Sequence, residues 1–160
     1  MKQFSGGLAL AACVAAARVV HREGEVLGGW KFMADAIALI DDLFFLAKVH
    51  ETAKHTGVTL ETAANGEQLL KAAAASPAAL ILVDLNARQG ALDAVEQLCA
   101  ADGAANGAAD GQARPRRVIA FLSHVQTDLA DRARSAGCQD VMPRSKFTQN
   151  LAEILRGAKS

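Results

Sequence analysis

Two stretches decide how this chain is read: Ala36-Ile37-Ala38-Leu39-Ile40-Asp41-Asp42 and Ala79-Leu80-Ile81-Leu82-Val83-Asp84. Each is a short, unbroken apolar run that ends in acid. Runs of this length without polar alternation suit strands covered on both faces, as in a parallel sheet flanked by helices. Working outward from them, five strand-plus-helix units can be laid along residues 36 to 157. Strand one is Ala36 to Ile40, and the helix after it carries Leu43, Leu46, Ala47, Val49 and Ala53 on one face before Gly57 stops it. Strand two is Val58 to Thr62. Asn65-Gly66-Glu67 turns the chain into a helix through Leu69, Leu70 and Ala73 that ends near Ser76-Pro77. Strand three is Ala79 to Val83, followed by a helix over Leu92 to Ala101 and a Gly-rich surface loop over Asp102 to Gly111. Strand four is Val118 to Leu122, helix four runs from Gln126 to Ala136 and stops at Gly137, strand five is Asp140 to Met142, and helix five carries Leu151, Ile154 and Leu155. The expected class is α/β: a flavodoxin-like, doubly wound (βα)5 three-layer sandwich with parallel strand order 2-1-3-4-5.

Composition narrows the function classes. Hydrophobic residues are 51% of the 160 and charged residues 21%, which suits one folded core and excludes a disordered or fibrous chain. Seventeen basic residues balance seventeen acidic ones, so no net field draws the molecule to nucleic acid or to an anionic membrane. The cluster Arg114-Pro115-Arg116-Arg117 reads as a solvated strand entrance. Cys13, Cys99 and Cys138 are odd in number and widely spaced, which argues for a reducing cytoplasm without structural zinc or a disulfide framework. No apolar run approaches the ~20 residues that a spanning helix needs.

Residues 1–32 read as an N-terminal extension. Lys2 followed by a short apolar stretch through Leu10-Ala11-Ala12-Cys13 has the look of a weak export or lipoprotein-processing signal. The favoured expectation is a misassigned start: Met33-Ala34-Asp35 opens directly into strand one, and codons for Gly28-Gly29 can hold a purine-rich ribosome-binding sequence. Without the extension, thirteen basic and fifteen acidic residues remain, a formal charge of −2.

In an open α/β sheet ligands bind beyond the carboxyl ends of the strands, and the order 2-1-3-4-5 sets strands one and three side by side at the switch point. Asp41, Asp42 and Asp84 therefore converge. Three carboxylates in one crevice repel unless a hard cation neutralises them, and an all-oxygen donor set suits Mg2+. For Asp42 the purely structural alternative is a helix N-cap. No Gly-rich dinucleotide or phosphate loop follows strand one and there is no GxSxG elbow, so enzyme readings on this architecture are disfavoured. Acids after strand one would also repel a flavin phosphate.

The segments Ile40-Asp41-Asp42, Leu82-Val83-Asp84-Leu85-Asn86, Phe121-Leu122-Ser123-His124 and Ala136-Gly137, in this order and spacing, resemble the receiver domains of two-component response regulators. The resemblance spans residues 34 to 157 and implies a receiver over 33–160. It implies that Asp84 accepts a phosphoryl group from a histidine kinase or phosphotransfer protein. By the same resemblance Asp42, Asp84, Asp41 through water and the backbone carbonyl of Asn86 hold Mg2+, and the Ser123 hydroxyl bonds a phosphoryl oxygen. Ser123 read alone is a cap for helix four, and His124 a surface side chain.

The chain departs from the family pattern at three points. The strand-five Lys-Pro pair is replaced by Val141-Met142-Pro143-Arg144-Ser145-Lys146, where an ungapped count from Gly137 puts Arg144 at the lysine position and Lys146 reaches it only with an inserted pair. Guanidinium and ammonium are not equivalent there. The loop Leu85-Asn86-Ala87-Arg88-Gln89-Gly90 lacks the usual Pro and is about two residues short. Val141 stands where the family keeps a switch aromatic. Only Arg156 to Ser160 follow helix five, so output is expected through a partner protein with no direct nucleic-acid or membrane contact. The leading expectation is a cytoplasmic, stand-alone, non-enzymatic phosphoacceptor. The other is a pseudo-receiver, a protein-interaction module that works without phosphorylation.

Overall fold

The computed structural model describes residues 33–76, 78–87, 90–105, 116–123 and 126–159. Five strands alternate with five helices: β1 (Ala36–Leu39), α1 (Leu43–Thr56), β2 (Leu60–Ala63), α2 (Gly66–Ala75), β3 (Leu80–Asp84), α3 (Ala91–Ala105), β4 (Arg117–Leu122), α4 (Thr127–Ser135), β5 (Asp140–Pro143) and α5 (Arg144–Arg156). All strand pairs are parallel and the sheet order is β2-β1-β3-β4-β5. This is the doubly wound architecture expected from the apolar runs. Among the described residues no helix is long and apolar enough to cross a membrane.

The period of two along each strand sorts the core into two layers. Ile37, Leu39, Ile81 and Val83 point to the face covered by α2, α3 and α4, where they meet Leu69, Val95, Leu98 and Ala133. Ala36, Ala38, Leu80 and Leu82 point to the other face, where α1 and α5 supply Val49, Ala53, Phe147, Leu151 and Leu155. Each of β1 and β3 is buried along its whole length, and each large side chain so buried contributes about 1.5–3 kcal/mol.

Several boundaries differ from the sequence expectation, each for a local reason. Strand two starts two residues later, because the Val58 N–H bonds back to Ala53 O at 2.9 Å and closes α1 around the left-handed Gly57 (φ 70°). Helix three runs on through Ala105, where a loop from Asp102 was expected, because alanine favours continued helix; residues 106–111 of that loop lie outside the described residues. On α1 the expected apolar face is corrected at its start: Leu43 is 76% exposed and Ala47 is exposed, while Val49 and Ala53 are buried. Within the basic cluster, Arg117 pairs with Asp140 across β4 and β5 at 2.7 Å and Arg116 approaches Asp102 at 4.0 Å, so both serve local ion pairs; Arg114 and Pro115 are outside the described residues. The expectations for residues 1–32, His124 and Pro77 also lie outside them.

Gly66 opens α2 and is buried against the start of α3. A Cβ there would stand 2.4 Å from Gly90 O and 3.0 Å from Gly90 C. Gly90 O is also the first acceptor of α3, taking the Ala94 N–H at 3.0 Å. Gly66→Ala therefore must push the α3 entrance aside, and is expected to cost about 1–3 kcal/mol, read as a lower denaturant midpoint at unchanged slope.

Candidate functional site

The crevice at the carboxyl edge of the sheet is built from the ends of β1, β3, β4 and β5. Asp84 ends β3 and is only 6% exposed. Its Oδ1 accepts the Asn86 N–H at 2.9 Å, a tight turn that fixes the carboxylate in place. Burial lifts its pKa above the ordinary carboxylate value, and the nearby charges of Asp41 and Asp42 push the same way, against the Asn86 N–H and the Arg144 charge.

Asp42 does two jobs at once. Its Oδ1 accepts the N–H groups of Phe44 and Phe45, each at 3.1 Å, so it is the N-cap of α1. Its Oδ2 accepts from Arg144 Nη2 at 2.8 Å. The Phe45 N–H, then the Arg144 hydrogen bond and charge, hold its carboxyl below the ordinary range despite some desolvation. The structural alternative read from the sequence, a cap, is thus realised, with an ion pair to Arg144 beside it. Lowering the pH through and below the ordinary Asp range is expected to strip this cap and ion pair, since the folded value lies under the unfolded one and the stabilisation is complete only above about 4. A side-chain carboxylate NMR titration of Asp42 with a midpoint at or above the ordinary value would contradict this.

Arg144 is the first residue of α5, delivered by Pro143 at the end of β5. Its guanidinium lies over the Phe45 ring, 4.1 Å from the centroid. Lys146, the other candidate, is an exposed residue of α5. Ser123 follows β4 and is exposed; its N–H donates to Asn86 Oδ1 at 2.9 Å. Ser123 does not cap α4, whose N-cap position is Gln126 without a side-chain cap bond. Asn86, assigned from the sequence by its carbonyl, also acts through its side chain: Nδ2 donates to Gln126 Oε1 at 2.5 Å, tying the β3 and β4 loops together.

Phe45 and Gln126 are the site residues that pattern reading missed. Neither belongs to an acidic or hydroxyl motif. Phe45 was legible only as an aromatic three residues beyond a cap.

Mg2+ is the metal the resemblance implies. The donors have the right chemistry, all oxygen, but not the arrangement. Asp42 is engaged by Arg144 and by two backbone amides, and among the described residues no three His, Cys, Asp or Glu side chains stand where they could hold a metal. Cys99 and Cys138 are free thiols, and burial pushes them up, Cys99 to about 11, so both are poor nucleophiles.

No family model matches the sequence, and no curated protein does. Solved structures do. The receiver domain of NtrX from Brucella abortus superposes with a TM-score of 0.60 at 15% identity, covering 77% of this chain and 96% of that one. A response regulator receiver domain protein from Clostridium thermocellum gives 0.61 at 14% identity, over 77% and 91% of the two chains. The fold is that of a receiver domain. A third neighbour comes from the co-crystal structure of the Saccharomyces cerevisiae phosphotransfer protein Ypd1 with the receiver domain of Ssk1, with a TM-score of 0.60 at 16% identity over 74% of this chain and 86% of that one.

Proposed function

We propose that this chain is a phosphoacceptor receiver that takes a phosphoryl group on Asp84 and signals through a protein partner. The observation that carries the reading is the position of Asp84: a buried carboxylate at the end of the central strand, at the switch point beside β1, with a cation already reaching into the crevice from α5. In the transfer, an Asp84 oxygen attacks the donor phosphorus in line. The bond from phosphorus to the donor's leaving atom breaks, the leaving group departs with the electron pair and is protonated by water, and an acyl phosphate remains. A carboxylate made more basic by burial is the better nucleophile once ionised. The step adds negative charge beside Asp41 and Asp42, so charge neutralisation decides whether it runs. In this chain the group at hand is Arg144, whose fork can face phosphoryl oxygens if it leaves Asp42. The Ser123 hydroxyl, at the end of β4, is assigned to a phosphoryl oxygen.

The donor would be a histidine kinase or a phosphotransfer protein. Leu43 and Phe44, 76% and 91% exposed at the start of α1, form an apolar rim beside the acids that suits such a partner. The test is incubation with a small-molecule phosphodonor with and without Mg2+, read as an intact-mass gain and mapped by peptide sequencing. A gain on Asp84 is the expected result; a gain elsewhere ends the assignment.

The Arg144–Asp42 ion pair favours one second reading, a pseudo-receiver that binds its partner without phosphorylation. In that case the folded protein shows no gain from any phosphodonor.

A further inference from the structure

Asn86 sends three polar groups to three different places. Its main-chain N–H donates to Asp84 Oδ1 at 2.9 Å, its side-chain Oδ1 accepts the Ser123 N–H at 2.9 Å, and its Nδ2 donates to Gln126 Oε1 at 2.5 Å. A carboxamide cannot turn over without exchanging donor for acceptor, so the bond to Gln126 also fixes which end of the Asn86 amide faces Ser123.

Gln126 makes this tie against the preference of its own helix. It stands at the N-cap position of α4 with φ −108° and ψ 69°, and its side chain makes no cap bond. Glutamine is not among the residues that cap well, whereas Thr127, the next residue, is. The main-chain bonds around Gln126 are long: its N–H reaches Ser123 O at 3.4 Å, and its carbonyl accepts the Ala130 N–H at 3.3 Å. Close packing does not hold it either. Gln126 is exposed, and with Thr127 it lines a cavity of about 210 Å3 between α4 and β5 that it shares with Leu122, Ala130 and Val141. A helix start that breaks the local rule while bonding to a distant loop is where a site's demands override local preference.

We infer that Gln126 is a positioning residue for Ser123: through Asn86 it fixes the Ser123 main chain, and so the direction of the hydroxyl, at the end of the strand beside the one that Asp84 ends. Ser123 is itself exposed, so its place depends on such ties. A misplacement of about 1 Å at a reacting centre can cost ~100-fold in rate. That the hydroxyl serves phosphoryl transfer rests on the reading of Asp84 as the phosphoacceptor; that Gln126 holds Ser123 does not.

The test uses the full chain. Gln126→Met keeps the length of the side chain and loses the acceptor, whereas Gln126→Glu keeps an acceptor. The first readout needs no phosphodonor: solvent exchange of the Ser123 amide hydrogen, followed by NMR. Gln126→Met is expected to speed it by between about twofold and tenfold, the range that one neutral hydrogen bond represents. Gln126→Glu is expected to restore the slower exchange. Added to Asn86→Ala, Gln126→Met is expected to change it no further, since both act through one tie. The second readout is the initial rate of mass gain with acetyl phosphate, expected to fall about tenfold in Gln126→Met while the label still maps to Asp84. An unchanged Ser123 exchange rate in Gln126→Met, with matching circular dichroism, overturns the inference, as does failure of Gln126→Glu to restore it. Faster exchange with an undiminished rate of uptake overturns the positioning role. If the wild type takes up no phosphoryl group, the phosphoacceptor reading fails by itself, and the exchange rates still decide whether Gln126 holds Ser123.

Discussion

Asp84→Asn is expected to lose all phosphoryl uptake and yet to melt a few degrees higher than the wild type at neutral pH. The loss follows from chemistry: a carboxamide has no anionic oxygen to attack phosphorus, and no other acid in the crevice is buried at the end of a central strand. The gain follows from burial. At 6% exposure, with Asp41 and Asp42 nearby, the charged form of Asp84 is disfavoured in the folded protein, so its pKa lies above the ordinary value of 3.8. Each unit of such a lift weighs about 1.4 kcal/mol against the folded carboxylate. Because the folded state then binds more protons than the unfolded one, stability falls as pH rises from 3.8 through the folded-state value, and it stays lower above that window. Asparagine keeps the acceptor for the Asn86 N–H and removes the charge. The stability difference between variant and wild type should open as pH rises through that window and close below it. Thermal melts from pH 3 to 8 check the sign, and a variant less stable than wild type at pH 7 would contradict the account of Asp84 as a buried, disfavoured charge. Mass spectrometry of the same variant checks the loss.

Phe147→Ala is expected to cost about 3–5 kcal/mol, a large share of the stability of a domain this size. Phe147 is fully buried on α5 and stacks on Phe121 of β4, with ring centroids 4.3 Å apart and planes at 16°. Phe45 completes the trio, edge-on to Phe121. Deleting the Phe147 ring leaves a cavity between α5 and the sheet, and rigid neighbours close such a space only in part. The damage reaches the site, because Phe121 is the register partner of Asp84 and its carbonyl accepts the Leu85 N–H at 2.9 Å. Urea unfolding followed by circular dichroism measures the loss. Phe147→Leu, which keeps most of the apolar volume, is expected to lose well under half as much. Equal losses in the two variants would show that ring stacking, rather than filled volume, sets the cost.

The likeness to solved receivers, at 14–16% identity, is carried by the fold. That fold was legible because its signals are local. An apolar run such as Ala79 to Val83 has nowhere to go but the middle of a parallel sheet, and Asn65 and Gly57 mark helix ends through their own side chain or backbone: Asn65 Oδ1 accepts the Gln68 N–H at 2.8 Å. Boundaries slipped where a neighbour overrode the pattern, as when Val58 was drawn back to close α1.

The sequence by itself determined the alternation of buried strands with helices, and with it that Asp41 and Asp42 follow β1 and Asp84 ends β3, since strand ends follow from hydrophobic runs and short connections. Only the tertiary structure decided what those acids face. Arg144 is 102 positions from Asp42 in sequence, and its fork reaches that carboxylate because α5 starts where β5 ends and packs Phe147 beneath it. No residue pattern states such a pairing. It arises from packing between segments far apart in the chain, and packing sets the charge balance of the crevice.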